Sequence, residues 1–374
     1  MSEPVRSAQV MGKMNSGGVE AVVTNYYRAI DKSRVQFDFF VDADSEFPQR
    51  AELEALGAGI YVVPPYQQLG SYIKELERIF RRNRYTVVHA HINTLCVFPL
   101  YAAWRAGVPV RIVHNHSTAH IGEGKKTLFK YLLRPFARVF ATDYFACSEL
   151  AGRWLYGNRC FDSGRVFVLN NAFDTHRFAF SADARARLRS ELGLAPDTFV
   201  VGHVGRFTYA KNHAFLIDIF TRLHEKDPHS VLVLIGEGEL EADIRQKAAP
   251  LGDAVRFLGV QPQANLYYSA MDVFCLPSFY EGLSLVGVEA QANGLPCVFS
   301  AGVTKEIDLT GRVRFLDLAL GAEEWAAQVR DIAALRRTDA SPELAGFSVQ
   351  QECRKLEAMY LDFENRKGRG ACRN

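Results

Sequence analysis

The sequence predicts an α/β protein made of two doubly wound parallel-sheet domains that face each other across a cleft. Three observations carry that prediction. Short apolar runs alternate with longer amphipathic segments from end to end, as parallel strands joined by crossover helices do. At 374 residues the chain exceeds one ordinary core and suits two domains. A polar stretch over 170–198, ending in a helix and Ala195-Pro196-Asp197, separates one alternation from the next.

In the first half the strand-like runs lie near 8–14, 37–42, 60–63, 85–91, 110–116, 143–147 and 166–169, with helix-like stretches such as 19–30, 71–83 and 125–139 between them. In the second half the runs are 199–204, 230–235, 255–258, 273–276 and 296–299. The first domain then covers 1–172 and the second 173–351. The tail 366–374 is basic and expected to fray. Ligands of such sheets sit beyond the carboxyl ends of the strands, so the residues that follow each strand are the ones to question.

Composition excludes several classes. A hydrophobic share of 48%, a charged share of 23% and a net charge of +2 describe a globular chain with no overall pull toward nucleic acid. No apolar run approaches the roughly 18 residues of a membrane span, and no signal peptide opens the sequence. Seven scattered cysteines make no disulfide framework. Cys96, Cys147, Cys275 and Cys297 lie in apolar surroundings and read as core residues of a reducing compartment, so the cytoplasm is the expected location.

The most informative segment is 277–290, the end of a buried strand, a glycine turn and the opening of a helix. A helix start offers unpaired N–H groups and partial positive charge, which suit a phosphate. Glu281 and Glu289 flank that start, and acids beside an anion site make sense if they bind the hydroxyls of a sugar or ribose on that phosphate. Gly282, Leu283 and Ser284 supply backbone amides at the turn. Arg206 and Lys211 flank the loop after the strand 199–204, and a guanidinium fork with an ammonium charge is what a diphosphate needs. Stabilising a departing diphosphate lowers the barrier to transfer directly.

Gly17 and Gly18 also join a strand to a helix, where backbone amides can approach a ligand, although many glycine pairs merely turn the chain. Neither a dinucleotide fingerprint nor a P-loop is present. His89 and His91 end one strand, His114 and His116 another, each pair on one face by the two-residue period. The sequence places no carboxylate or cysteine beside them, so no metal is expected, and His116 is the one chosen to bond the sugar. Asp42-Ala43-Asp44 matches a metal-nucleotide triplet but sits far from the phosphate cluster and is set aside. Glu237, within Gly236-Glu237-Gly238, either lines a nucleoside pocket or belongs to a plain glycine turn. Lys125, Lys126, Lys130, Arg134 and Arg138, interleaved with Leu128, Phe129, Leu132, Leu133 and Phe136, form either a basic amphipathic helix for an anionic membrane, assisted by Arg78, Arg81, Arg82 and Arg84, or an ordinary packed helix.

Together, Gly17-Gly18-x-Glu20, His116 after the second His-x-His strand, Arg206-x4-Lys211 and Glu281-x7-Glu289 resemble the retaining glycosyltransferases of family 4, which have the GT-B fold. The motifs follow the family's order over about three hundred residues. The region 289–308, with Ala292-Asn293-Gly294-Leu295-Pro296, resembles the exopolysaccharide and capsule subgroup. The segment 168–174 departs from the more usual Pro-Asn-Gly-hydrophobic-Asp. By this resemblance, Arg206 and Lys211 bind the donor diphosphate, Glu289 the ribose, and Glu281 the transferred sugar with His116 beside it. Amides at 282–284 and at Gly17-Gly18 hold phosphate and sugar oxygens. The family keeps the anomeric configuration, needs no bound metal or other cofactor, and commonly folds its last helix, here 352–366, back onto the first domain. The expected reaction moves a hexose from a UDP-sugar to a lipid-linked oligosaccharide. A sugar-nucleotide epimerase and a non-catalytic nucleotide-binding partner of another transferase are the alternatives.

Overall fold

The computed structural model describes residues 3–15, 17–118, 125–281, 283–335, 337–338 and 342–370, with backbone alone at 125–128, 342–343 and 365–370. The chain divides into two compact units, Met1–Phe173 with Gly346–Asn374, and Asp174–Ala345.

The first unit carries β1 (Val5–Gly12), β2 (Val35–Asp42), β3 (Gly59–Val63), β4 (Val87–Ala90), β5 (Val110–Asn115), β6 (Asp143–Ala146) and β7 (Val166–Val168). Among the described residues these form one parallel sheet in the order β3-β2-β1-β4-β5-β6-β7. The second unit has β8 (Phe199–Val204), β9 (Ser230–Ile235), β10 (Val255–Phe257), β11 (Val273–Leu276), β12 (Cys297–Ser300) and β13 (Val313–Leu316) in the order β10-β9-β8-β11-β12-β13, again parallel. Runs such as Val273-Phe274-Cys275-Leu276 are wholly buried because helices cover both faces of a parallel sheet. In each sheet the chain reverses its direction of growth once, between β1 and β4 and between β8 and β11. Those reversals are the switch points where such sheets bind ligands.

The alternation thus gives the architecture correctly, with shifts at the edges. The first strand starts at Val5 and ends at Gly12, earlier than the run 8–14 suggests. β13, an edge strand whose apolar residues are broken by Arg314, escapes the pattern. The basic stretch 125–139 is not one helix. An α-helix Lys125–Leu133 gives way to a 3-10 turn Arg134–Arg138, because Pro135 has no N–H to continue the ladder. The four cysteines read as core residues are all buried.

The last helix, Val349–Gly370, packs on the helix Gly18–Ala29 and on β1 and β2. The chain leaves and re-enters the first unit side by side. Phe173 donates its N–H to Phe347 O at 3.0 Å, and Val349 returns one to Phe173 O at 2.9 Å. Asn170 uses its side-chain amide on Gly346 O at 2.8 Å. The unusual Asn170-Asn171 pair thus lies where the chain leaves the first unit, and Phe173 there bridges Ser348 in parallel. No described helix is long and apolar enough to cross a membrane.

Candidate functional site

In the second unit the loops that follow β8, β9 and β11 are joined by backbone bonds, and this places the charged side chains. Phe207 N–H donates to Glu237 O at 3.0 Å and Leu240 N–H to Phe207 O at 3.1 Å. The approach demands glycine. A Cβ on Gly236 would lie 2.2 Å from Gly205 O, and one on Gly238 would lie 2.6 Å from Phe207 O. Gly236 also has φ +132°, which other residues rarely adopt. The glycines of this loop thus support the loop that carries Arg206. The Glu237 side chain is exposed, as is Arg206, whose Nε lies 3.9 Å from Glu239 Oε2.

The loops after β8 and β11 are tied as well. Phe279 N–H donates to Ala210 O at 2.8 Å, the Asn212 side-chain amide donates to Pro277 O at 3.1 Å, and Tyr209 stacks on Phe279 with centroids 4.7 Å apart. Lys211 Nζ consequently meets Glu281 Oε1 at 2.7 Å, with the two side chains only 17% and 16% exposed. Ser278 Oγ donates to the same Glu281 oxygen at 3.2 Å. Glu281 N–H is fixed on Gly302 O at 3.1 Å.

Glu289 sits on the helix Leu285–Ala292 and accepts a hydrogen bond from the hydroxyl of buried Tyr268 at 2.7 Å. Burial pushes its carboxyl up from 4.5 to about 7, against the opposing pull of the Tyr268 bond and the Lys211 charge. Lys211 is therefore the cation that both acids feel. Leu283 and Ser284 are buried where this helix begins, and Ser284 Oγ has no hydrogen-bond partner among the described residues. A helix start with unpaired amides and a buried, unused hydroxyl can receive an oxyanion. Gly282 lies outside the described residues.

Beneath Lys211 are two histidines. His203 donates Nδ1–H to Cys275 O at 2.8 Å, and burial lowers its pKa to about 4. His213 stacks on Phe207 at 4.1 Å, and burial lowers it to about 2. Both rings stay neutral, so the positive charge of the loop rests on Arg206 and Lys211. Tyr268, Ser278, Asn212, His203 and His213 are roles that the sequence reading did not assign. Each acts through contacts made after folding, and none sits in a spacing that marks it.

Gly17, Gly18 and His116 belong to the first unit. Gly17 caps the helix Gly18–Ala29, and a Cβ there would fall 2.2 Å from Glu20 Oε2, so the carboxylate of Glu20 lies over that helix start. His116 is buried, and burial lowers its pKa to about 4. Asp44 pairs with Lys13 at 2.5 Å. Of the basic stretch, Arg138 donates to Tyr156 O and Arg134 lies over the Trp154 ring, while the side chains of Lys125, Lys126 and Leu128 lie outside the described residues.

Comparison with known proteins agrees with this architecture. Residues 16–177 match the model described as Glycosyltransferase Family 4, and 198–334 the model described as Glycosyl transferases group 1. The chain is 36% identical over 349 residues to EpsF of Bacillus subtilis (strain 168), a protein named for glycosyltransferase activity, with 90% of each chain covered. It is 26% identical to the UDP-Gal:alpha-D-GlcNAc-diphosphoundecaprenol alpha-1,3-galactosyltransferase of Escherichia coli, over 81% of this chain and 83% of that one. Among solved structures, Anabaena HepE in complex with UDP and glucose superposes with a TM-score of 0.77 at 20% identity, covering 96% of this chain and all (100%) of that one. WaaG, a glycosyltransferase of lipopolysaccharide biosynthesis, superposes with a TM-score of 0.69 at 13% identity, over 95% of each chain. The chain belongs to the family 4 glycosyltransferases and has their GT-B fold.

Proposed function

We propose that the protein is a retaining hexosyltransferase that takes its sugar from a UDP-sugar and adds it to a lipid-linked oligosaccharide during exopolysaccharide assembly. The observation that carries this reading is Lys211, held 2.7 Å from Glu281 and within the field of Glu289 at the switch point of the second sheet. One ammonium group and the exposed guanidinium of Arg206 meet the diphosphate. Glu289 takes the ribose hydroxyls, and Glu281 takes the hexose. The amides at Leu283 and Ser284 receive phosphate oxygens, and Glu237 stands at the nucleoside side. The relatives support the substrate class, since one is named for transfer to a diphosphoundecaprenol-linked sugar and HepE was solved with UDP-glucose.

In this reading the leaving phosphate assists the incoming hydroxyl on the same face, and the protein supplies charge and position rather than a dedicated base. The two cations neutralise the diphosphate, so the reaction proceeds without a metal ion. The first unit takes the acceptor, while the amides of Gly17 and Gly18, at the start of the helix Gly18–Ala29, hold phosphate and sugar oxygens and His116 bonds the sugar.

An exposed apolar patch on the first unit supports a peripheral contact with the membrane in this reading. Phe129, Leu132, Phe136 and Val139 are between 49% and 62% exposed, beside Lys130 and Arg134. Exposed apolar side chains edged by cations are what a peripheral contact with an anionic bilayer needs. In this reading the enzyme works on the cytoplasmic face of the membrane.

The test is transfer from a panel of UDP-hexoses to lipid-linked oligosaccharide in EDTA, with the product linkage read by NMR. A product that keeps the donor's anomeric configuration is expected. Release of an altered free sugar without acceptor would instead mean an epimerase.

A further inference from the structure

His89, His91, His114 and His116 project from the ends of β4 and β5 on one face of the first sheet, and all four are buried. Their nitrogens are joined in a single row. His116 Nδ1 lies 3.1 Å from Asn171 Oδ1, and His116 Nε2 lies 2.9 Å from His91 Nδ1. His91 Nε2 is 2.9 Å from Gln9 Oε1. The Gln9 amide nitrogen donates to Ser7 Oγ at 2.8 Å and to Tyr360 Oη at 3.0 Å. Tyr360 Oη is 2.7 Å from His89 Nδ1, and His89 Nε2 is 3.1 Å from His114 Nδ1. The row ends at His114 Nε2, which has no partner among the described residues.

Three of these rings bring ligand atoms within 4.8 Å of one another, close enough to suggest a metal. Their orientation and chemistry argue for hydrogen bonding instead. His89 stacks on His91 with planes 27° apart and on His114 with planes 19° apart, so the rings lie over one another. The cavity they line has no carboxylate among its described residues to balance a dication.

Burial lowers the pKa of all four rings, so each carries one N–H. A neutral ring donates at one nitrogen and accepts at the other, so it passes on the direction it receives. The Gln9 carboxamide does the same, accepting at Oε1 and donating at Nε2, and so does the Tyr360 hydroxyl. The direction is therefore set once for the whole row. As placed the two carboxamides oppose each other, since Gln9 Oε1 takes a hydrogen from His91 Nε2 and Asn171 Oδ1 would take one from His116 Nδ1. Turning Gln9 would strand one of its two N–H groups, which now meet Ser7 Oγ and Tyr360 Oη, so Gln9 sets the direction and the Asn171 carboxamide turns to match.

We propose that Gln9 is a positioning residue that holds His116 as its Nε2–H tautomer, leaving Nδ1 as a hydrogen-bond acceptor behind Asn171. Tyr360, on the returning last helix, carries the same direction to His89 and His114. All four histidines are then Nε2–H tautomers. A substrate hydroxyl that displaces Asn171 meets a bare nitrogen and donates to it. This last step rests on the proposed role of His116 in transfer; the tautomer does not.

The experiment is nitrogen-15 NMR of histidine-labelled full-length protein, in which protonated and bare ring nitrogens are well separated. Four Nε2–H rings are expected in the wild type. Once these four rings are assigned, a mixture of tautomers among them, Nδ1–H at all four, or stoichiometric zinc surviving dialysis against EDTA would overturn the proposal. Tyr360→Phe should release His89 and His114 while His91 and His116 stay as they are, and Gln9→Leu should let His116 populate both tautomers. Equal disturbance of all four rings by Tyr360→Phe would mean a purely structural role and would overturn it. If Gln9→Leu does not fold, the wild-type and Tyr360→Phe spectra decide alone. In transfer assays Gln9→Leu should lower kcat about tenfold with the donor KM little changed. Uniform tautomers with unchanged kcat would leave the row standing and remove His116 from the transfer reaction.

Discussion

Glu289→Gln should make the second unit more stable at neutral pH while removing the carboxylate proposed to bind ribose. A carboxyl moved from 4.5 to about 7 by folding binds more protons in the native state than in the unfolded state between those values. Stability that rests on its protonation is present in full below about pH 4.5 and is lost as pH rises toward 7. At about 1.4 kcal/mol per pH unit the loss approaches roughly 3 kcal/mol, and about 2 kcal/mol after allowance for the part of Glu289 that still meets solvent. The substituted carboxamide keeps the hydrogen bond from Tyr268 and carries no charge to bury. At pH 8 the variant should therefore be about 2 kcal/mol more stable than wild type, or roughly 4–8 °C in melting temperature for a unit of this size. At pH 4.5 the two should coincide. Trp325 is the only tryptophan of the second unit and is fully buried, so its fluorescence in a Trp104→Phe, Trp154→Phe background follows that unit alone. Stability curves that run parallel from pH 4.5 to 8 would refute the reasoning.

Other substitutions separate charge from packing. Arg206→Ala and Lys211→Ala should each reduce transfer by about 10²-fold or more, as loss of preorganised charge does. Only Lys211→Ala should also lower stability, by about 1–3 kcal/mol, because it strands the half-buried Glu281 carboxylate while Arg206 is exposed; denaturant melts decide this. Gly238→Ala should destabilise the second unit by about 2 kcal/mol or more, since its Cβ strikes the Phe207 backbone, and circular dichroism melting checks it. Lys130→Glu combined with Leu132→Asp should cut sedimentation with anionic vesicles while leaving transfer to a soluble acceptor intact.

Much of this arrangement is legible in the sequence because parallel sheets write themselves as buried apolar runs, and phosphate-binding groups must follow those runs. Arg206, Lys211, Glu281 and Glu289, the residues proposed to bind the donor, are picked out that way. The ion pair between Lys211 and Glu281 is not, because it depends on two loops brought together by Phe279 and Asn212. The same holds for Tyr268, which raises no local signal yet bonds Glu289. Gly236 and Gly238 read equally as a turn or a pocket until their closeness to Gly205 and Phe207 is seen. The helix break at Pro135 is available from the residue itself and is masked by the regular spacing of apolar residues around it. The histidine pairs announce one shared face of the sheet, but the row through Gln9 and Tyr360 joins residues 351 positions apart.

The central claim is that Arg206 and Lys211 hold a nucleoside diphosphate at the switch point of the second sheet. Titration calorimetry of UDP into the full-length protein in EDTA tests it most directly. The account predicts one site per chain in the wild type and a loss of about tenfold or more in affinity in Arg206→Ala and in Lys211→Ala. Wild-type affinity in both variants, or binding that requires a divalent metal, would contradict it.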